Sequence, residues 1–114
     1  MKKLGRQTAE LTRRPCVAAS AAVVGKREGE GPLGGCFDYV SADSYFGEKS
    51  WEAAESHMIR HAFTLACNKA GAAADALDII ISGDLLNQCV STAFAMKDTG
   101  SPYFGVYGAC STMA

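Results

Sequence analysis

Cys110 lies in Gly108-Ala-Cys-Ser-Thr112, between an aromatic stretch and two hydroxyl residues. A cysteine in that setting offers two kinds of chemistry. As a thiolate it is a nucleophile. At the start of a helix, where the first amides lack intrahelical partners, it can line a pocket for an anion. The small residues around Cys110 let the chain turn sharply and bring the sulfur to a strand tip. An inert, buried cysteine at a tight turn is the plainer alternative, because Cys is among the most buried residue types.

A second constellation, Gly83-Asp-Leu-Leu-Asn-Gln88, precedes it. Asn87 and Gln88 bring amide donors suited to a carboxylate. Asp84 repels an anion at close range. It can instead cap a helix beginning near Leu85, hold a basic residue, or meet a ligand through a cation or water. The only histidines, His57 and His61, are four apart. A zinc-protease pattern needs a Glu directly after the first, and Met58 stands there. They read as the solvated face of a helix, and no metal is expected. The five cysteines include no CxxC pair, which argues against a zinc knuckle, and free thiols fit best.

The elements that would position these groups follow from patterning. Cys16 to Val24 is small, uncharged and bounded by Pro15 and Gly25, as a strand or a helix buried on most sides would be. Gly25 to Lys49 is a long Gly-rich loop with apolar anchors at Phe37 and Tyr39, and a loop of that length is usually functional, disordered or part of an interface. Ser50 can cap a helix from Trp51 to Ala70, with Glu52 in the first turn and Gly71 as its left-handed stop. Trp51, Ala54, Met58, Ala62, Leu65 and Ala66 recur at helical spacing and should face a core. Leu77 to Ser82 is a strand by its Ile content. Leu85 to Met96 reads as a second helix with Leu86, Val90, Ala93 and Phe94 as its apolar stripe. Pro102 to Tyr107 is another strand, turning at Gly108 into a helix that starts at Cys110. Helix, strand, helix, strand is the rhythm of an α/β fold with a mostly parallel sheet. In such sheets the ligand site gathers at the carboxyl ends of strands, where both motifs fall.

The bulk numbers exclude several classes. The chain has 114 residues, 48% of them hydrophobic and 20% charged, an ordinary globular composition at a length that suits one small domain or a piece of a larger one, with residues 1–114 all in it. The net charge of −1 gives no reason to expect nucleic acid as a partner. The basic cluster of Lys2, Lys3, Arg6, Arg13 and Arg14 reads as a solvated start. No apolar run follows Lys2 and Lys3 as a secretory signal requires, and none reaches the roughly 18 residues of a membrane span.

Gly108-Ala-Cys-Ser-Thr112 resembles the nucleophile motif of the thiolase superfamily of thiolases and β-ketoacyl synthases. Gly31-Pro-Leu-Gly34, Phe37-Asp38, Trp51-Glu-x-Ala-Glu55, Gly83-Asp-Leu-Leu-Asn-Gln88 and Phe104-x-x-Tyr-Gly-Ala-Cys-Ser-Thr112 together are similar to the stage V sporulation protein AD family. The resemblance implies a thiolase-like fold, of which this chain is the first part of the first βαβαβ half, the second half being absent. It implies a dipicolinic-acid-binding component of the spore's dipicolinate uptake machinery, taking the ligand with or without calcium. The expected site is Asp84, Leu85, Asn87, Gln88, Cys110, Ser111 and Thr112, with no cofactor. The expected partners are other stage V sporulation membrane proteins and a second copy of the chain. The expected location is peripheral, on the cytoplasmic side of the forespore or spore inner membrane. The competing expectation is an acyltransferase using Cys110 as nucleophile. That chemistry needs a downstream His, or His and Asn, which this chain lacks, so the chain is expected not to be an enzyme. A piece of this extent should expose apolar faces, bind dipicolinate poorly and tend to aggregate.

Overall fold

The computed structural model describes residues 1–113. Its backbone runs β1 (Lys2–Leu4), β2 (Thr8–Glu10), β3 (Val23–Val24), α1 (Lys26–Gly29), β4 (Tyr39–Val40), α2 (Trp51–Ala70), β5 (Ile80–Gly83), α3 (Val90–Met96) and β6 (Tyr103–Val106). Short 3₁₀ turns cover Gly34–Cys36, Ala74–Ala76 and Ala109–Met113. The fold is mixed α/β. Among the described residues the strands form three two-stranded pairs: β1 with β2 antiparallel, β3 with β4 parallel, and β5 with β6 parallel.

The long helix behaves as its sequence dictates. The Ser50 hydroxyl accepts from the Ala53 amide at 3.2 Å, satisfying one of the orphan donors of the first turn. Gly71 stops the helix at φ 65°, and the Gly71 and Ala72 amides close onto the Asn68 and Cys67 carbonyls. A side chain at that φ would be strained, so Gly is the natural stop.

One core lies between helices and sheet. Ile80 of β5 and Ala95 and Met96 of α3 are buried, and Ile59 and Phe63 of α2, Leu77 and Tyr103 pack around them. Residues alternate across a strand. Ile80 and Tyr103 therefore point at the helices, while Ile81 (64% exposed) and Phe104 (59% exposed) point away into solvent. Polar contacts tie the amino-terminal part to the end of α2. Lys69 Nζ donates to the Ser20 carbonyl and to Asp38, and Asp38 Oδ2 accepts from the Ala22 amide at 2.8 Å.

Several expectations need correction. Cys16 to Val24 is not buried on most sides: only Val23–Val24 pairs, and Val17 is 88% exposed. Small side chains there bring too little apolar area to hold a neighbour. The Gly25 to Lys49 segment is not a plain loop, since it includes α1, a 3₁₀ turn and β4. Trp51 is half exposed and stacks on Tyr45, with ring centroids 4.0 Å apart, instead of entering the core. The second helix starts at Val90, not Leu85. Its anticipated stripe of Leu86, Val90, Ala93 and Phe94 is solvent-exposed, while Ser91, Thr92, Ala95 and Met96 are buried. Starting five residues later, α3 is set by the polar anchor at Asp84, and that anchor decides which face turns inward. The molecule is also less compact than its length predicts. Its radius of gyration is 15.7 Å, against about 13 Å for a closed domain of this size.

Candidate functional site

β5 and β6 run parallel in the register Ile80↔Tyr103 to Gly83↔Val106, so their carboxyl ends sit side by side. The 84–88 loop leaves one and the Cys110 turn leaves the other. Gly83 marks the meeting point. A Cβ there would collide with the Thr112 methyl group and the Val106 carbonyl. The two predicted motifs are thus brought together, with Asp84 following Gly83 directly and Thr112 packed on it.

Asp84 is the most firmly held residue of the set, at 3% exposed. Its Oδ1 accepts from the Cys89 amide at 2.9 Å. Its Oδ2 accepts from the Thr92 amide and the Thr92 hydroxyl, both at 3.0 Å. It performs for α3 the duty of a capping side chain, though it precedes Thr92 by eight residues. The capping expectation therefore holds in kind but not in place: the intervening residues form turns instead of helix. Cys89, at φ 59°, carries the chain through the left-handed region into α3. Its sulfur and the Tyr103 hydroxyl both lie against Gly105. Burial raises the Tyr103 hydroxyl above its ordinary pKa, with the nearby Cys89 and Asp84 acting in the same direction.

The 84–88 loop is held from α2. The Leu85 amide donates to Glu55 Oε1 at 2.7 Å, and the Leu86 amide reaches Oε2 at 3.4 Å. Asn87 Nδ2 donates to Glu52 Oε1 at 2.9 Å. Leu85, Asn87 and Gln88 themselves are exposed. Sequence reasoning missed Glu52 and Glu55 as parts of this region. The available signal was their spacing of three on one helix, which puts two carboxylates on the same face.

The Cys110 turn is closed by its own neighbours. Gly108 N–H donates to Thr112 Oγ1 at 3.0 Å, and the Ser111 hydroxyl and amide donate to the Gly108 carbonyl at 2.8 and 2.9 Å. Cys110 is exposed and its thiol is free, which sets aside the inert buried cysteine. The segment is a five-residue 3₁₀ turn over the described residues, tighter than the α-helix expected there.

The histidines stand elsewhere. His57 Nδ1 lies 3.1 Å from Glu48 Oε1, and the His61 ring packs on Tyr39 at 4.3 Å. A cleft of about 540 Å³ between α2 and α3 is lined by His57, Arg60, Ser91, Phe94 and Lys97 among others, and by neither Asp84 nor Cys110. Among the described residues, no group of three His, Cys, Asp or Glu is placed to hold a metal ion. No helix among them is long and apolar enough to cross a membrane.

The family model for stage V sporulation protein AD matches residues 5–114. The chain is similar to stage V sporulation protein AD of Bacillus subtilis (strain 168), with 34% identity over 112 residues. That alignment covers 98% of this chain and 33% of the relative, so the chain spans about a third of the relative's length. Family-model coverage of residues 5–114, with a relative 34% identical over 98% of the chain, leads to one conclusion: the chain belongs to the stage V sporulation protein AD family.

Proposed function

We propose that the protein is a non-enzymatic sporulation component that binds dipicolinic acid, within a thiolase-like fold of which this chain forms the first part. The observation that carries the ligand site is the parallel register of β5 and β6, which sets the 84–88 loop beside the Cys110 turn at the carboxyl ends of both strands. Ligands of open α/β sheets bind in that crevice. A planar dianion needs donors on both flanks. In this reading Cys110, Ser111 and Thr112 form one flank; on the other, Gln88 is the donor, while Leu85 and Asn87 shape the wall because their donors are held by Glu55 and Glu52. Asp84 contributes by fixing the loop, since its oxygens already accept from Cys89 and Thr92. Delivery to the spore would involve membrane-bound stage V partners, with the protein lying peripherally on the inner membrane.

The acyltransferase alternative rests on the exposed Cys110 thiol. The engagement of His57 with Glu48 and of His61 with Tyr39 supports the non-enzymatic reading. Two measurements on the intact protein separate the readings. Calorimetric titration with dipicolinate should give saturable binding, weakened in Cys110→Ala with the circular dichroism spectrum unchanged. Selective, stoichiometric acylation of Cys110 by an acyl-CoA analogue, without dipicolinate binding, would overturn the proposal in favour of the enzyme.

A further inference from the structure

We infer that Glu55 is a positioning residue: its carboxylate, seated on α2, holds the 84–88 loop in the conformation that faces the Cys110 turn. The ligand consequence rests on the dipicolinate-site reading above; the mechanical part does not. The geometry is specific. One carboxylate takes two successive amides, Leu85 N at 2.7 Å and Leu86 N at 3.4 Å, across 30 and 31 residues of sequence. Glu55 itself is partly buried and belongs to a 20-residue helix capped at both ends, so the acceptor is anchored to the most regular element present. One turn earlier, Glu52 holds the Asn87 side chain at 2.9 Å. Asp84 holds the far side of the loop through Cys89 and Thr92. The loop is therefore held by three carboxylates, Glu52 and Glu55 from α2 and its own Asp84 toward α3.

The arrangement also assigns donors. The Leu85 and Leu86 amides serve the protein's own carboxylate, so they are not available to an incoming anion while Glu55 is in place. Asn87 Nδ2 is likewise engaged by Glu52, so the donor the loop has left for a ligand is the exposed Gln88 side chain. Hydrogen bonds to an ionised acceptor are about twice as strong as neutral ones, which suits a clamp that must keep an exposed loop from wandering.

The test uses the intact protein and three variants: Glu55→Ala, Glu55→Gln and, as a control on the same helix, Thr64→Ala. Amide hydrogen exchange is read at Leu85 and Leu86 and, for comparison, at Ile59 and Phe63 in the core-facing part of α2. Glu55→Ala should speed exchange at Leu85 and Leu86 by at least about tenfold, a loss typical of a charge-assisted bond, with Ile59 and Phe63 unchanged. Glu55→Gln, which keeps one acceptor oxygen, should recover part of the protection. Dipicolinate affinity should fall in the same order, and Thr64→Ala should change neither. Unchanged exchange at Leu85 and Leu86 in Glu55→Ala overturns the clamp. Faster exchange with unaltered dipicolinate affinity overturns its role at the ligand. If the unmodified protein binds no dipicolinate, the site reading fails, and the exchange result still decides whether Glu55 holds the loop.

Discussion

Two loops leave adjacent parallel strands at the same end of the sheet, and they are stabilised in opposite ways. The 84–88 loop is held by partners on two other elements: Glu52 and Glu55 on α2, 30 to 35 residues earlier, and Thr92 in α3, eight residues after Asp84. The Cys110 turn is held by partners three and four residues away. A loop tied to distant elements shares the stability of the core and opens only when the core gives way. A turn closed on itself can open locally. The two flanks of the proposed pocket should therefore differ in stiffness, with the acidic-anchored flank serving as a fixed wall and the cysteine flank as the adaptable one.

Removing Asp84 attacks the fixed wall directly. Asp84→Ala leaves the Cys89 amide and both Thr92 donors without their acceptor, two of them in a buried residue. It should destabilise by about 3 kcal/mol or more in urea denaturation of the intact protein. A loss under 1 kcal/mol would mean that the wall is held by something else. Gly83→Ala should cost about 1–3 kcal/mol, because the new methyl meets the Val106 carbonyl and the Thr112 methyl group. Adding Thr112→Ala should recover only part of that loss, since the carbonyl remains. Complete recovery would place the strain wholly between the loops. Ser111→Ala, on the adaptable flank, should cost under about 1 kcal/mol, as it removes one exposed donor.

The smallest effect lies outside both loops and serves as their control. The Lys69 ammonium, and then the Ala22 amide, lower the Asp38 carboxyl below its ordinary pKa. The Tyr45 and Gly47 amides do the same for Asp43. A carboxyl with a lowered folded pKa stabilises the fold above its unfolded value and loses that contribution as pH falls through the folded one. Stability in the intact protein should thus decline below about pH 4, and Asp38→Asn should flatten part of that decline without altering exchange at Leu85. A pH profile indifferent to Asp38→Asn would show that the Lys69 contact contributes nothing in solution.

Local signals in the sequence read well, and long-range ones did not. Ser50 and Gly71 marked both ends of α2, because capping depends on residues within a few positions of the helix end. The Ile-rich run and the Pro102 segment located β5 and β6, and their parallel pairing brought both motifs together as expected of strand carboxyl ends. The start of α3 was misplaced because Asp84, the expected cap of a helix beginning near Leu85, takes the Cys89 and Thr92 amides instead, five and eight residues on. The inverted faces of α3 have the same origin: periodicity names an apolar stripe but does not say which neighbour exists to cover it. Glu52 and Glu55 were visible as a pair on one helix face, yet Glu55's partners are backbone amides, which leave no mark in a sequence, and Glu52's is the Asn87 side chain 35 residues on.

The open face of the β5–β6 pair bears on biosynthesis. Parallel strands are stable when both sides are clothed, and among the described residues Ile81 and Phe104 are exposed and β5 and β6 pair only with each other. A ribosome that has just made this stretch presents a greasy, ribbon-like surface able to recruit its own kind before anything covers it. Yield of any protein built on this stretch is then set by a race between burial and clumping. Slower translation at lower temperature, or a larger supply of holdase chaperones, should tip that race toward soluble product.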